Sequence, residues 1–266
     1  MKQVRFVLGV IKWLLVAAYL VVALSFVSSR SQQVVCSDIS INISDSLENA
    51  FITKQDVKNL IAKQHKNLVG IPLHMINTYE LEQALRNFQT VKNAEVYSVI
   101  DGTLNIKINQ RKPILRIINS KGQNYYIDSE GQVLPLSGNF AAHVLVANGN
   151  IVEPFSVSSK VKITEWCDEA NNSIPLICKL LEFANYVTRD KFWNAQIAQI
   201  YVDSPSRIEL IPRVGAHTIL MGSLDDYELK LKKLRLFYET ALPEEGWNKY
   251  RQINLKYSNQ IVCTKK

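Results

Sequence analysis

The sequence predicts an α+β protein with a single N-terminal transmembrane helix, a small βααββ domain, and then a mixed β domain with flanking helices. Three observations carry this. Trp13 to Val27 contains no charged residue. Two helical patterns precede two alternating runs joined by Asp101-Gly102. From Ile114 the chain becomes a series of short alternating runs separated by turn residues, with two helical patterns among them.

Extending Trp13 to Val27 back to Phe6 interrupts the apolar character only at Lys12, and 6–27 is long enough for a bilayer core, which takes about 20 helical residues. Lys2, Arg5 and Lys12 lie on the N-terminal side, against Arg30 on the other. That asymmetry places residues 1–5 in the cytoplasm as a short tail and the bulk of the chain outside. Lys12 can snorkel back to the headgroups. A cleaved signal peptide shares the basic start, the apolar core and the small residues Ser28 and Ser29. The length of the stretch, and Val27 rather than Ala before Ser28, favour a retained anchor. Either way the remainder is exported.

Hydrophobic residues make up 47% of the chain and charged ones 21%, which excludes disorder as the main theme. The exported part suits two domains. The net charge of +7 includes Lys2, Arg5 and Lys12 and the terminal pair Lys265 and Lys266. The rest is interspersed with acids, which argues against a nucleic-acid surface. Cys36, Cys167, Cys178 and Cys263 lack zinc-knuckle or redox-pair spacing. Cys167 and Cys178 are able to pair in an oxidising compartment, and buried thiols are the equally good reading.

Residues 28–33 form a polar linker, and 34–110 the first domain. Ile39, Ile41 and Ile43 alternate with polar residues, as in a half-buried strand. Thr53 with Asp56 three residues on is a capping-box start, and Val57, Leu60 and Ile61 follow at helical spacing to near His65. Gly70 and Pro72 mark a loop. Thr78 is the expected cap of a second helix carrying Leu81, Ala84, Leu85 and Phe88. Strands over 91–100 and 103–109 are joined by Asp101-Gly102, a two-residue hairpin signal that asks for positive φ at both positions.

Residues 111–266 form the second domain. Strands are expected over 114–119, 124–128, 132–136 and 143–149, with turns at Ser120-Lys121-Gly122 and Asp128-Ser129-Glu130-Gly131. Residues 151–172 read as irregular loop. A helix over 174–187 carries Ile177, Leu180, Leu181, Ala184 and Val187 on one side. Strands over 197–202, 207–211 and 217–222 follow. Ser223 is the expected cap of a last helix with a stripe of Tyr227, Leu231, Leu234 and Phe237/Tyr238, ending near Pro243. Lys230, Lys232, Lys233 and Arg235 read as its solvated face. Residues 250–257 form the final long strand, Ser258-Asn259-Gln260 turns it, and 261–263 return.

The βααββ order, Gly70 between the helices and Val91 with Val96 in the second strand resemble a polypeptide-transport-associated (POTRA) domain. Arg111-Lys112-Pro113 resembles the exit of that domain in FtsQ/DivIB cell-division proteins. Tyr125-Tyr126-Ile127-Asp128 before Gly131 is similar to the next segment of that family. So are Leu220-Met221-Gly222, the helix with Lys232, Lys233 and Leu234, and Ile253-Asn254-Leu255-Lys256-Tyr257. The ordered set covers nearly the whole chain.

The resemblance implies a non-enzymatic scaffold of the division machinery in the cell inner membrane, at the septum, with most of the chain outside the cytoplasm. It implies recruitment of an FtsB/FtsL-type pair, other divisome contacts through the POTRA-like domain, and a part in regulating septal peptidoglycan synthesis. Binding would proceed by β-augmentation along a final strand with an unpaired edge. Carried onto this sequence, the partner-binding residues are Leu255, Lys256, Tyr257, Ser258, Asn259, Gln260 and Ile261, with Tyr257 as aromatic anchor or core residue. The competing class is a POTRA-bearing transport or envelope-assembly factor, which would carry repeated modules or a barrel.

Catalytic machinery finds no support in the residues. His65, His74, His143 and His217 stand apart without a metal-ligand pairing. No Gly-x-Ser-x-Gly elbow or phosphate-cradling glycine loop occurs. Asp128 and Glu130 as a carboxylate pair would need a cleft, and a turn is the simpler reading. No cofactor is expected.

Overall fold

The computed structural model describes residues 11–22, 34–44, 50–65, 68–138, 140–153, 161–168 and 174–266. Residues 11–22 form a helix, α1. No helix among the described residues is long and apolar enough to cross a membrane. The expected span over 6–27 runs outside the described residues on both sides of α1, as do the linker over 28–33 and much of 151–172. The rest divides into two compact units, one running to Gln110 and one from Arg111 together with Ala50 and Phe51.

The smaller unit has strands β1 (Asp38–Ser44), β2 (Val91–Ser98) and β3 (Thr103–Gln110), and helices α2 (Lys54–His65) and α3 (Thr78–Arg86). The sheet order is β1-β3-β2, with β1 parallel and β2 antiparallel to β3. The alternation read from the sequence becomes a core of Ile41, Ile43, Val96, Leu104, Ile106 and Ile108 facing Val57, Ile61, Leu81 and Leu85. Thr53 does cap α2: Asp56 N donates to its hydroxyl at 3.2 Å, and Thr53 N donates back to the Asp56 carboxylate at 2.9 Å.

Two local expectations are corrected. The cap of α3 is Asn77, whose side chain accepts from Glu80 N, so Thr78 is the first helical residue. The β2–β3 connection is a three-residue loop: Val99 N donates to Thr103 O and Gly102 N to Val99 O. Only Gly102 takes positive φ, at 93°, while Asp101 accepts from Thr103 N with its side chain at 2.8 Å. A type I turn followed by a bulge needs one left-handed residue, where a two-residue turn needs two.

Among the described residues the larger unit is built on a nine-stranded sheet. Its strands are β4 (Pro113–Ile118), β5 (Asn124–Asp128), β6 (Val133–Leu134), β7 (Leu145–Gly149), β8 (Ile197–Ser204), β9 (Arg207–Pro212), β10 (Thr218–Gly222), β11 (Tyr250–Asn254) and β12 (Val262–Lys265). Its order is β12-β11-β10-β9-β8-β7-β4-β5-β6. The helices are α4 (Ile163–Asp168), α5 (Leu176–Arg189), α6 (Lys191–Gln196) and α7 (Tyr227–Glu245). Inward residues such as Ile117, Ile200, Leu210, Ile219 and Ile253 form one core with Leu180, Phe183 and Val187 of α5 and Leu231, Leu234 and Tyr238 of α7. The mixed α+β class is therefore as expected.

Within this unit the loop expected over 151–172 contains α4, and Cys167 of α4 forms a disulfide with Cys178 of α5, their Cα atoms 6.0 Å apart. Helix α6 has no sequence counterpart above. Asp190 ends α5 and caps α6, its carboxylate accepting from Phe192 N at 2.8 Å, so one residue makes two helices of one pattern. The residue before α7 is Asp226 rather than Ser223, its side chain makes no capping hydrogen bond, and the helix continues through Pro243 to Glu245. A proline this close to a helix end removes one bond of the last turn, and Gly246 N closes that turn on Leu242 O.

Candidate partner-binding face

Strand β11 is not an edge. It pairs in parallel with β10 through Thr218–Leu220 and antiparallel with β12 from Tyr250 to Asn254. The expectation of a final strand running through Leu255 to Tyr257 with a free edge is corrected: the strand ends at Asn254, and Val262–Lys265 pair along its outer side. The open edge belongs to β12, whose one strand neighbour among the described residues is β11. Exposed sheet edges present unpaired N–H and C=O groups and are templates for another strand.

The seven residues singled out from the sequence sit between these two strands and do not play one role. Leu255 is buried in the core, and its N–H donates to Leu220 O at 2.9 Å. Lys256, Ser258, Asn259 and Gln260 are exposed, and Ile261 is half-buried against the core. Tyr257 is 50% exposed, so it is not a core residue. Lys256 N bonds the Asn254 side chain at 3.0 Å, which turns the chain out of the strand.

Lys233 fixes this segment to α7. Its Nζ donates to Tyr257 O at 2.7 Å and to Ser258 O at 2.9 Å. The charge run on α7 is therefore not simply a solvated face. Lys230 donates to Ser223 O, and Arg235 bonds Glu239 and lies 4.7 Å from the Phe192 ring. Between α7 and the segment Leu255–Ser258 lies a groove of about 830 Å³, with Leu229, Leu236 and Tyr257 exposed along it. The sequence reading missed Leu229 and Leu236. Their signal is a second apolar pair, seven apart, on the side of the helix away from the stripe that reaches the core.

Asp128 and Glu130, weighed above as a carboxylate pair, both accept from Arg111 Nη1, at 2.7 and 2.9 Å. Asp128 also accepts from Glu130 N and Gln132 N. These bonds build a turn. Among the described residues no group of three or more His, Cys, Asp and Glu is placed to hold a metal ion.

The core of the larger unit also holds an aromatic cluster, with Trp247 partly buried against it. His217 Nε2 and the Tyr238 hydroxyl share a hydrogen bond of 2.8 Å, and the Tyr238 and Trp247 rings are 5.2 Å apart. Burial pushes the His217 imidazole below its ordinary 6.5; the Trp247 backbone opposes this and the Lys266 charge adds to it. An imidazole kept neutral by folding must bind a proton more readily in the unfolded chain. Its contribution to stability is complete above pH 6.5 and is lost as pH falls from there through the folded value. Urea midpoints between pH 7.5 and 5 should fall more steeply for the native chain than for His217→Gln; equal slopes would show that the imidazole is not the group responsible.

The open edge of β12 and the groove beside it, with Leu229, Leu236 and Tyr257 exposed, form a surface that could take a further strand. Residues 112–264, more than half of the chain, match the family model described as FtsQ/DivIB, C-terminal related, and residues 34–109 match that of a POTRA-like domain. The chain belongs to the FtsQ/DivIB C-terminal related family, which makes it a cell-division scaffold of that type. No curated protein matches it.

Proposed function

We propose that this protein is a non-enzymatic scaffold of the division site that captures an FtsB/FtsL-type pair by β-strand addition to β12. The observation that carries this is the open edge of β12 beside the exposed segment Lys256 to Gln260, in a chain of this family. Backbone groups along β12 supply the hydrogen bonds, and Lys256, Tyr257, Ser258, Asn259, Gln260 and Ile261 read the incoming side chains. Leu255 acts from the core by holding that segment in place. Lys256 offers a point charge to a partner acid.

The domain reading that goes with this is a cytoplasmic tail over 1–5, a transmembrane helix over 6–27, a linker over 28–33, the POTRA-like domain over 34–110 and the β domain over 111–266. It puts the binding face outside the inner membrane at the septum, where it helps regulate septal peptidoglycan synthesis. Further divisome members bind through the POTRA-like domain.

Two measurements test this. A fluorescent fusion should form a mid-cell ring at constriction, and uniform envelope fluorescence in dividing cells would sink the division reading. Tyr257→Ala should weaken capture of the partner pair by about 2 kcal/mol, roughly 30-fold, as for an interface anchor, with the fold intact. Unchanged capture would remove Tyr257 from the interface.

A further inference from the structure

The β2–β3 hairpin of the smaller unit ends in apolar residues that neither its core nor its turn requires. Ile100 is 92% exposed, and Val99 and Tyr97 beside it are exposed as well. Ile100 and Asp101 are the central residues of the turn and Gly102 the left-handed residue after it, and the first central position, held by Ile100, accepts most residue types, polar ones included. Single exposed apolar side chains are ordinary, whereas a cluster marks a surface that meets something.

The location of the cluster says what it meets. Ser37 N donates to Gly102 O at 2.9 Å, and a Cβ on Gly102 would lie 2.7 Å from Val35 O. The hairpin tip is thus the end of the unit at which the N-terminal chain enters, and Val35, also exposed, adds to the same apolar end. The apolar stretch ends at Val27, and the seven Cα steps from there to Val34 span at most about 25 Å. Tyrosine suits the boundary between headgroups and acyl chains, and aliphatic side chains suit the layer beneath.

We propose that this tip, with Ile100 and Val99 leading and Tyr97 and Val35 beside them, rests in the interfacial zone of the lipid bilayer that holds the N-terminal segment. The inference rests on the reading of that segment as a membrane anchor. Contact would fix the smaller unit against the bilayer at a second point besides its tether. Asp38 and Asp101 are exposed next to the tip. The contact is therefore apolar and does not draw on anionic lipid.

Nitroxide labels on the full chain in phosphatidylcholine nanodiscs test this, in a Cys263→Ser background. Cys36 is 1% exposed and Cys167 and Cys178 are paired, so introduced cysteines take the label. Labels are placed at Ile100→Cys, at Leu20→Cys within the apolar stretch, and at Lys107→Cys, an exposed position further along β3. Collision with oxygen, relative to a water-soluble nickel complex, should be several-fold higher at 100 than at 107, and high at 20. A high ratio at 20 with equal ratios at 100 and 107 overturns the tip contact and leaves the anchor standing. A low ratio at 20 removes the anchor and the inference with it. Shielding of 100 from both reagents would show a protein covering the tip and overturns lipid contact.

Discussion

Gly149→Ala destabilises the larger unit by about 3–5 kcal/mol, the sum of a left-handed backbone and an overpacked contact. Gly149 ends β7 with φ of 100°, and it pairs in register with Val202 of β8. A Cβ at this position would lie 2.2 Å from Val202 O. The obstacle is backbone, not the tip of a movable side chain. Asn150 N donates to that same oxygen at 2.7 Å, so β8 cannot retreat without breaking a bond that ends the strand. Urea unfolding followed by the fluorescence of Trp193 and Trp247 measures the loss. Gly122→Ala is the control: its φ is also positive, at 76°, but open space surrounds the new Cβ. It should cost only about 1 kcal/mol, the backbone term alone. Equal losses at the two positions would mean that β7 and β8 yield to the added methyl group.

Arg111→Ala is expected to cost about 3 kcal/mol, as when one partner of a buried ion pair is removed. The Asp128 side chain is 5% exposed, and Arg111 is largely buried beside it. Burial works against the guanidinium charge, and the bonds to Asp128 and Glu130 more than offset it, raising its pKa above the ordinary value. Without Arg111, Asp128 keeps its two backbone donors and loses its counter-charge. Arg111→Lys should recover only part of the loss, because both bonds come from the outer Nη1 of Arg111 and the more strongly hydrated lysine ammonium costs more to bury beside Asp128. The same unfolding curves decide it: a loss below about 1 kcal/mol would place the pair among exposed salt bridges.

The capping box at Thr53 and Asp56 was legible because cap, acid and helix lie within one turn of chain. The stripe Ile177, Leu180, Leu181, Ala184 and Val187 was legible because a 3.6-residue period is a local property. At the candidate face, sequence similarity drew attention to 255–261, but it gave the seven residues one role. Leu255 and Tyr257 are two apart and read alike as apolar; one is core and the other is half exposed. Lys233 looked like any helix lysine, and its bonds to Tyr257 O and Ser258 O depend on a segment 24 and 25 residues further on. The Cys167–Cys178 pairing needed α4 to be seen beside α5.

Sequence alone determined the α+β class, the βααββ order and the positions of nearly every strand, since hydrophobic period and turn chemistry act over a few residues. Tertiary structure decided which strand lies at the edge. Whether β11 or β12 presents free backbone depends on whether the final residues leave the sheet or return along it. That choice rests on pairings such as Ile253 with Cys263 and Ile219 with Ile253, which join segments the local pattern cannot relate.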